Sequence, residues 1–163
     1  MTLIFWYDRY KPSKLKLEKP ELFAFSKSAS DSLIYLRLPL IFSTTGAKKI
    51  LVENCQVNFP DVMTFNPPLA WEAITNRLIP TSHDSRDAPT PFMIQGRQSK
   101  QIFAEFQGIG IDILSGNGWY RTQVLIQSNG KKEWKVVCDF DLDLSQVIKP
   151  GYFTYRNTTS KPN

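Results

Sequence analysis

Residues 134–144 read Trp-Lys-Val-Val-Cys-Asp-Phe-Asp-Leu-Asp-Leu, and this stretch decides the fold class. Every even-numbered position is apolar or a cysteine, while a lysine, a valine and three aspartates occupy the odd positions. An alternation with a period of two places one face of a β-strand on a core and the other in water. A helix would scatter the aspartates around its circumference. The stretch is therefore predicted to be a strand, with Trp134 and Val136 among its inward-facing side chains.

The preceding residues 120–127 alternate in the same way and lead into Ser-Asn-Gly at 128–130, a hairpin signal. A two-residue Asn-Gly turn would place Val124 opposite Lys135. Opposed residues share a face, so this register would bring charge into the core. A three-residue loop, with its glycine in the left-handed conformation, instead places Val124 opposite Trp134. The sequence therefore predicts the three-residue, bulged turn.

Further strands follow from runs of β-branched and aromatic residues. Within residues 34–42 the alternation points leucines and Phe42 inward, and Pro39, which lacks a backbone donor, should sit at a bulge or beside an unpaired edge. The inward-facing positions change from even-numbered at Val52 to odd-numbered at Cys55. This change predicts a β-bulge near Glu53 and Asn54. The other predicted strands cover residues 15–18, 22–25, 92–95 and 102–106.

The pattern weakens between Pro60 and Pro91, where six of the eleven prolines fall. Residues 69–78 fit either two helical turns or an extended segment. Residues 81–89 are polar and are predicted to form a surface loop, and the chain after Lys149 is predicted to be loosely attached.

Many short strands linked by turn residues predict an all-β fold: a single antiparallel, immunoglobulin-like β-sandwich of about seven to nine strands with at most one short helix. A partly open barrel of the oligonucleotide-binding kind is the architectural alternative. We divide the chain into an N-terminal aromatic and basic segment (1–13), the sandwich domain (14–149) and a C-terminal tail (150–163).

The formal net charge of +5 arises in the first part of the chain. Residues 1–50 carry nine Lys and Arg against four Asp and Glu, whereas residues 51–163 carry eleven of each. So modest a surplus is usual for a solvated face, and nucleic acid is not an expected partner. No apolar run approaches the roughly 20 residues of a membrane span, and residues 3–7 lack the features of a secretory signal. The chain is therefore predicted to be cytoplasmic, with membrane association as an alternative.

Two groups of polar residues resemble a metal-binding or a catalytic site. On a strand, Asp139, Asp141 and Asp143 stand about 7 Å apart, too far to share one calcium ion at roughly 2.3–2.6 Å. They are predicted to form a solvated face with Arg121 as a partner. Residues 82–84, Ser-His-Asp, hold the residue types of a triad in the wrong, adjacent geometry. No catalytic residue, metal ligand or cofactor is therefore assigned.

The two cysteines, Cys55 and Cys138, form no Cys-x-x-Cys pair. They are predicted to be small buried hydrophobic residues, with a disulfide across a sandwich as the alternative. Asn157-Thr158-Thr159 is a glycosylation acceptor in form, but nothing in the sequence predicts export.

The N-terminal segment places apolar residues first, then aromatic ones, then clustered positive charge. This order is typical of the cytoplasmic side of a membrane anchor. A first strand packed on the sandwich, a membrane-facing or partner-docking segment, and disorder are the three interpretations. The candidate interaction surface consists of Phe5, Trp6, Tyr7, Arg9, Tyr10, Lys11, Lys14 and Lys16.

Three stretches carry a family resemblance: residues 36–47 (Leu-Arg-Leu-Pro-Leu-Ile-Phe-Ser-Thr-Thr-Gly-Ala), residues 52–54 (Val-Glu-Asn) and residues 91–97 (Pro-Phe-Met-Ile-Gln-Gly-Arg). Together they resemble an uncharacterised bacterial family of immunoglobulin-like β-sandwich proteins of unknown function. The resemblance implies a sandwich and brings no catalytic residues. Some such proteins carry a membrane helix before the domain, so the resemblance implies a shortened anchor at this N-terminus.

Because the sequence contains no recognisable catalytic, metal-binding or cofactor-binding motif, we predict a non-enzymatic protein-interaction module. Its expected partner is an unidentified protein, and a membrane surface is a further candidate partner. An electrostatic binder of single-stranded nucleic acid is the first alternative. It requires Trp71, Trp119 or Tyr120 to lie exposed on a basic face, where bases could stack.

An enzyme with an unrecognised site is the second alternative. It requires scattered polar residues, such as His83, Arg97 and Glu105, to converge in a deep pocket.

Overall fold

A computed structural model describes residues 12–28, 33–62, 67–109, 118–147 and 153–157. These residues form strands and no helix, and all strand pairs are antiparallel. The strands are β1 (Leu15–Leu17), β2 (Leu22–Lys27), β3 (Leu33–Thr44), β4 (Ile50–Asn58), β5 (Leu69–Thr75), β6 (Arg86–Asp87), β7 (Phe92–Ile94), β8 (Ser99–Ile109), β9 (Trp119–Ser128), β10 (Lys135–Asp143) and β11 (Phe153–Arg156). The predicted all-β, antiparallel class is confirmed. Within these ranges there is no helix with the length and hydropathy to cross a membrane.

The strands form one curled sheet in the order β10-β9-β4-β5-β8-β3-β2-β11. β1 joins the sheet on β3, β6 on β5, and β7 on β4. The link between β4 and β5 is short, since it comprises the pairs Gln56↔Ala70 and Val57↔Leu69. The strands around β9 and those around β3 are therefore joined by few pairs, and the buried apolar residues of the sheet form one core.

The longest pairing, between β3 and β8, runs from Leu33↔Ile109 to Ser43↔Ser99. The inward residues of β3 are completely buried, and each such side chain contributes about 1.5–3 kcal/mol of burial free energy. They are Ile34, Leu36, Leu38, Leu40 and Phe42. The alternation predicted for residues 34–42 is confirmed.

Pro39 pairs with Phe103 on the β8 side of β3. On the opposite side it lies in the gap between the pair Ala24↔Arg37, where the pairing of β2 with β3 stops, and the pair Leu17↔Phe42, where β1 ends. The proline therefore stands beside a locally unpaired edge, as its missing donor requires.

The predicted bulge in β4 is present, because the register between β4 and β9 shifts between Val52 and Asn54. The Asn54 side chain accepts the N–H of Cys55 at 2.9 Å. The bulge lets Val52 and Cys55 both point inward, at 0% and 1% exposure.

The connection between β9 and β10 differs from the predicted three-residue loop. Asn129 and Gly130 both have positive φ, 54° and 74°, and the carbonyl of Ser128 accepts the N–H of Lys131 at 3.1 Å. This is a two-residue turn of the type that suits Asn-Gly. The predicted left-handed glycine is confirmed, and the predicted loop length is wrong.

The predicted register, with Val124 opposite Trp134, is also wrong. Strand pairing begins only at Lys135↔Ile126 and shifts at a bulge after Val136, so that Cys138 faces Val124. The shift arises because residues 131–134, between the turn and β10, belong to no strand, so Ile126 meets Lys135 instead of Lys132. Before the bulge the even-numbered side chains face solvent, and after it they face the core. Trp134 and Val136 are therefore 37% and 42% exposed, contrary to prediction. Beyond it, the predicted burial of Cys138, Phe140, Leu142 and Leu144 is confirmed.

Residues 69–75 are extended as β5, so the helical alternative is wrong. The polar segment 81–89 is exposed apart from the half-buried Asp84, as predicted for a surface loop, although β6 pairs with β5 within it. Part of the segment predicted as loosely attached is a strand, because β11 pairs with β2 along its whole length.

Asn157, which follows β11, joins the two ends of the curled sheet. Its Oδ1 accepts the N–H of Asp143 at 3.1 Å, and its Nδ2 donates to the carbonyls of Asp141 at 2.9 Å and Pro20 at 3.4 Å. Its backbone N–H donates to the carbonyl of Glu21 at 2.7 Å. The side chain is 92% buried and satisfies polar groups on the otherwise unpaired edge of β10.

Candidate functional site

The predicted interaction surface lies only partly within the described residues. Phe5, Trp6, Tyr7, Arg9, Tyr10 and Lys11 lie outside them. Lys14 and Lys16 are described, and both are exposed. Ser13 Oγ accepts the N–H of Lys48 at 2.8 Å, and the carbonyl of Lys14 accepts the N–H of Thr45 at 3.1 Å. The N-terminal segment therefore enters the domain beside the turn between β3 and β4.

Three segments meet at this place and carry a concentration of lysine. They are residues 13–16, residues 44–50 and residues 128–135, which contain a single carboxylate, Glu133. We call this region the basic end. Its lysines, all exposed, are Lys14, Lys16, Lys48, Lys49, Lys131, Lys132 and Lys135.

A groove of about 470 Å³ crosses the basic end between the start of β1 and the start of β10. Apolar side chains, among them Leu15, Trp134, Val136 and Val137, contribute to its lining. Its charged lining residues are Lys131, Lys135 and Glu133. Trp134 and Val136 are two of the larger apolar side chains exposed to solvent, at 37% and 42%.

The lysine-bearing connection is held firmly on β4. Asn129 accepts the N–H of Leu51 at 2.9 Å through its side chain, and its own N–H donates to the carbonyl of Leu51 at 3.0 Å. The carboxylate of Glu53 accepts the N–H of Gly130 at 2.6 Å. These contacts place the following residues on the surface. The sequence reasoning missed Trp134 as a surface residue, although Lys-Lys-Glu directly before it signals an exposed turn.

The predicted pairing of Arg121 with the aspartate row is confirmed. Arg121 Nη2 lies 2.7 Å from Asp139 Oδ2, and Gln123 Nε2 donates to the same oxygen at 2.9 Å. The hydrogen bonds and charge of Arg121 lower the pKa of Asp139, and Asp139 in turn raises the pKa of Arg121. The carboxylate is therefore engaged in a cross-strand ion pair.

Asp143 departs from the predicted solvated face, since it is only 5% exposed. Its carboxylate accepts hydrogen bonds from the N–H and hydroxyl of Ser145 and from the side chain of Gln146. These bonds stabilise the turn after β10. Among the described residues, no group of three or more His, Cys, Asp or Glu side chains could hold a metal ion.

A second cleft, of about 590 Å³, lies where Asn157 joins the ends of the sheet. Lys19, Glu21, Arg121, Asp139 and Asp141 line it together with Asn157. It mixes both signs of charge, and Arg121 and Asp139 already neutralise each other. This cleft therefore offers less electrostatic selectivity than the basic end.

Glu105 is held by two arginines and is 1% exposed. Arg37 Nε lies 2.6 Å from one carboxylate oxygen, and Arg86 Nη2 lies 2.6 Å from the other. Arg37 and Glu105 are cross-strand partners on the convex face of β3 and β8. The structure thus assigns Glu105, one of the residues of the enzyme alternative, a structural ion-pair role, while His83 and Arg97 of that alternative are exposed.

Both cysteines are buried and free, as predicted. Burial raises the pKa of the Cys55 thiol to about 12 and also raises the pKa of Cys138. Neither thiol is activated as a nucleophile at neutral pH, because the thiolate is the reactive form.

The aromatic residues of the nucleic-acid alternative do not lie on the basic end. Trp71 is 6% exposed, and its indole N–H donates to the carbonyl of Ala73 at 3.1 Å. Trp119 and Tyr120 are half-buried at the opposite end of β9. Tyr120 packs edge-on against Phe59, with 6.4 Å between ring centroids.

The chain matches no protein-family model, and a search of curated proteins finds none that matches it.

Proposed function

We propose that the protein is a non-enzymatic protein-interaction module that works close to a membrane, and that the basic end is its docking surface. The observation that carries this proposal is the exposure of Trp134 and Val136 inside a rim of lysines, at the point where the N-terminal segment joins the domain. Tryptophan is among the residues that contribute most to binding free energy at interfaces. The exposed indole of Trp134 is therefore well suited to a docking role.

The ionisable groups elsewhere in the described residues support a binding role rather than catalysis. Glu105 is bound by two arginines, and Asp139 is bound by Arg121 and Gln123. The thiol of Cys55 stays protonated at neutral pH because burial raises its pKa to about 12. An active site needs groups that can exchange protons or attack a substrate, whereas these groups stabilise the fold.

We also propose that the curled sheet is a variant of the immunoglobulin-like sandwich and belongs with the bacterial family that the sequence resembles. The short β4–β5 link, with pairs at Gln56↔Ala70 and Val57↔Leu69, supports a two-layer description. The two free cysteines accord with a cytoplasmic location, where thiols stay reduced.

Site-specific photo-crosslinking in cells tests the docking surface. A photoreactive phenylalanine replaces Trp134 in one variant and Ile79 in the control, because both side chains are 37% exposed. We expect a discrete protein adduct from position 134 that disappears when Lys131→Glu and Lys135→Glu are added, and none from position 79. The proposal fails if position 134 yields no adduct or if both positions yield the same adducts.

A further inference from the structure

We infer that the basic end rests on an anionic lipid bilayer, with Trp134 at the membrane–water interface. This inference depends on the proposed docking role of the basic end: the bilayer holds the lysines and the indole, and the protein partner that position 134 captures lies in the same membrane. Three observations carry it: the type of positive charge, the exposed indole, and the sequence that leads into the groove.

The cations within the three segments of the basic end are all lysines, and one exposed arginine adjoins them, because the N–H of Arg97 donates to the carbonyl of Gly46 at 3.0 Å. The three segments 13–16, 44–50 and 128–135 hold seven lysines, no arginine and one glutamate. Arginine provides the planar fork that binds single phosphates and bases in a fixed geometry, whereas lysine is a flexible point charge. A cluster of roughly four to eight basic residues attracts the diffuse negative charge of an anionic leaflet. The lysine cluster therefore fits a lipid surface better than a sequence-reading nucleic-acid site.

The indole of Trp134 adds an interfacial anchor within this charge. Tryptophan is enriched at membrane interfaces because its ring is amphipathic. Trp134 and Val136 are exposed beside Lys131 and Lys135, whose aliphatic stems can lie along apolar surface while their ammonium groups reach polar headgroups.

The sequence that precedes Ser13 has the same character. Leu3 to Tyr7 are apolar and aromatic, and Arg9 and Lys11 follow them. Ser13, which lines the groove, comes six residues after Tyr7. Six residues span at most about 20 Å of extended chain, which limits the distance between Tyr7 and Ser13.

Flotation of the full chain with vesicles tests the inference. Vesicles contain phosphatidylcholine alone or phosphatidylcholine with phosphatidylserine at a ratio of 7:3, in low and in high salt. We expect binding to the anionic vesicles at low salt, loss of binding at high salt, and little binding to neutral vesicles. Since each lysine contributes about five-fold to such binding, neutralising two would cost roughly thirty-fold. Lys131→Glu with Lys135→Glu should therefore lower the partition constant by at least that factor.

Matched variants separate the basic end from general charge effects. Lys27→Glu with Arg156→Glu changes the net charge equally at exposed positions on β2 and β11, and we expect little change in binding. Because Trp6 belongs to the apolar and aromatic run near the N-terminus, quenching is compared in a Trp6→Phe background, where Trp134→Phe should remove the fluorescence quenching that brominated lipids cause at the interface. A thermal melt confirms that each variant is folded.

The inference is overturned if the wild-type chain does not float with anionic vesicles, if both double variants bind equally well, or if a single-stranded oligonucleotide binds more tightly than the vesicles at equal salt. If vesicle binding fails while the position-134 adduct persists, the docking surface stands and its occupant is a protein. If vesicle binding holds without any adduct, the basic end binds lipid and the protein-partner proposal falls.

Discussion

Removal of the Asn157 side chain should destabilise the whole domain, because this side chain joins the two ends of the sheet. Asn157→Ala deletes the acceptor for the N–H of Asp143 at 3.1 Å and the donor to the carbonyl of Asp141 at 2.9 Å. The third contact, to Pro20 at 3.4 Å, is too long to contribute much. Each of the two shorter hydrogen bonds contributes about 1 kcal/mol, and a buried polar group left unsatisfied costs about 1–3 kcal/mol.

The expected loss in the free energy of unfolding is therefore about 2–4 kcal/mol. Urea denaturation, followed by tryptophan fluorescence, measures it directly. With a denaturant slope of about 2 kcal/mol per molar urea, the midpoint should fall by roughly 1–2 M. Amide exchange of Asp143 should accelerate, because its N–H loses its partner.

Two further variants make the experiment decisive. Thr154→Ala alters an exposed side chain on the adjoining strand β11 and should change stability by less than about 0.5 kcal/mol. Asn157→Asp keeps an acceptor for Asp143 but sets an oxygen against two carbonyls, so it should destabilise at least as much as alanine. If Asn157→Ala behaves like Thr154→Ala, or if exchange at Asp143 is unchanged, Asn157 does not hold the sheet closed.

Three other perturbations have defined outcomes. Glu105→Gln removes the charge at the centre of a buried ion-pair cluster and should cost about 3 kcal/mol or more in urea denaturation. Arg86→Gln, whose side chain is 49% exposed, should cost about 1 kcal/mol or less; equal losses would contradict the assigned roles. Burial raises the pKa of Cys55 from 9.0 to about 12, so the unfolded state loses its proton first and stability should fall as pH rises above 9. The decline approaches about 1.4 kcal/mol per pH unit, and Cys55→Val should flatten it in pH-dependent denaturation; an unchanged slope would show that Cys55 is not its source. Gly130→Ala should cost about 1–2 kcal/mol because φ is +74°, whereas Gly118→Ala, with no atom within 4 Å of the added carbon, should be nearly neutral in thermal melts.

The strand interiors could be predicted from the sequence, because their burial follows from local geometry. A pleated strand alternates its side chains, so the run from Ile34 to Phe42 could be assigned to the core without knowledge of its neighbours. The bulge in β4 could also be predicted from neighbouring residues alone, since the inward-facing positions change from even-numbered at Val52 to odd-numbered at Cys55.

The candidate site was predicted only in part. Lys14 and Lys16 were identified from the order of residues near the N-terminus, whereas Trp134 was assigned to the core. Trp134 is exposed because residues 131–134 belong to no strand and a bulge follows at the start of β10. The alternation within residues 120–144 does not show where strand pairing resumes after the turn.

The amino-acid sequence alone therefore specified the strands with a clear alternation, such as β3 and β4, and their apolar faces, because a period of two needs no information beyond the segment. It did not specify β6 or β11, and it left residues 69–78 open. The tertiary structure decided register and closure. Arg37 meets Glu105 across 68 positions, and Asn157 reaches Pro20 across 137. Such contacts depend on how distant strands pair, and the free energy of that pairing is distributed over the whole sheet.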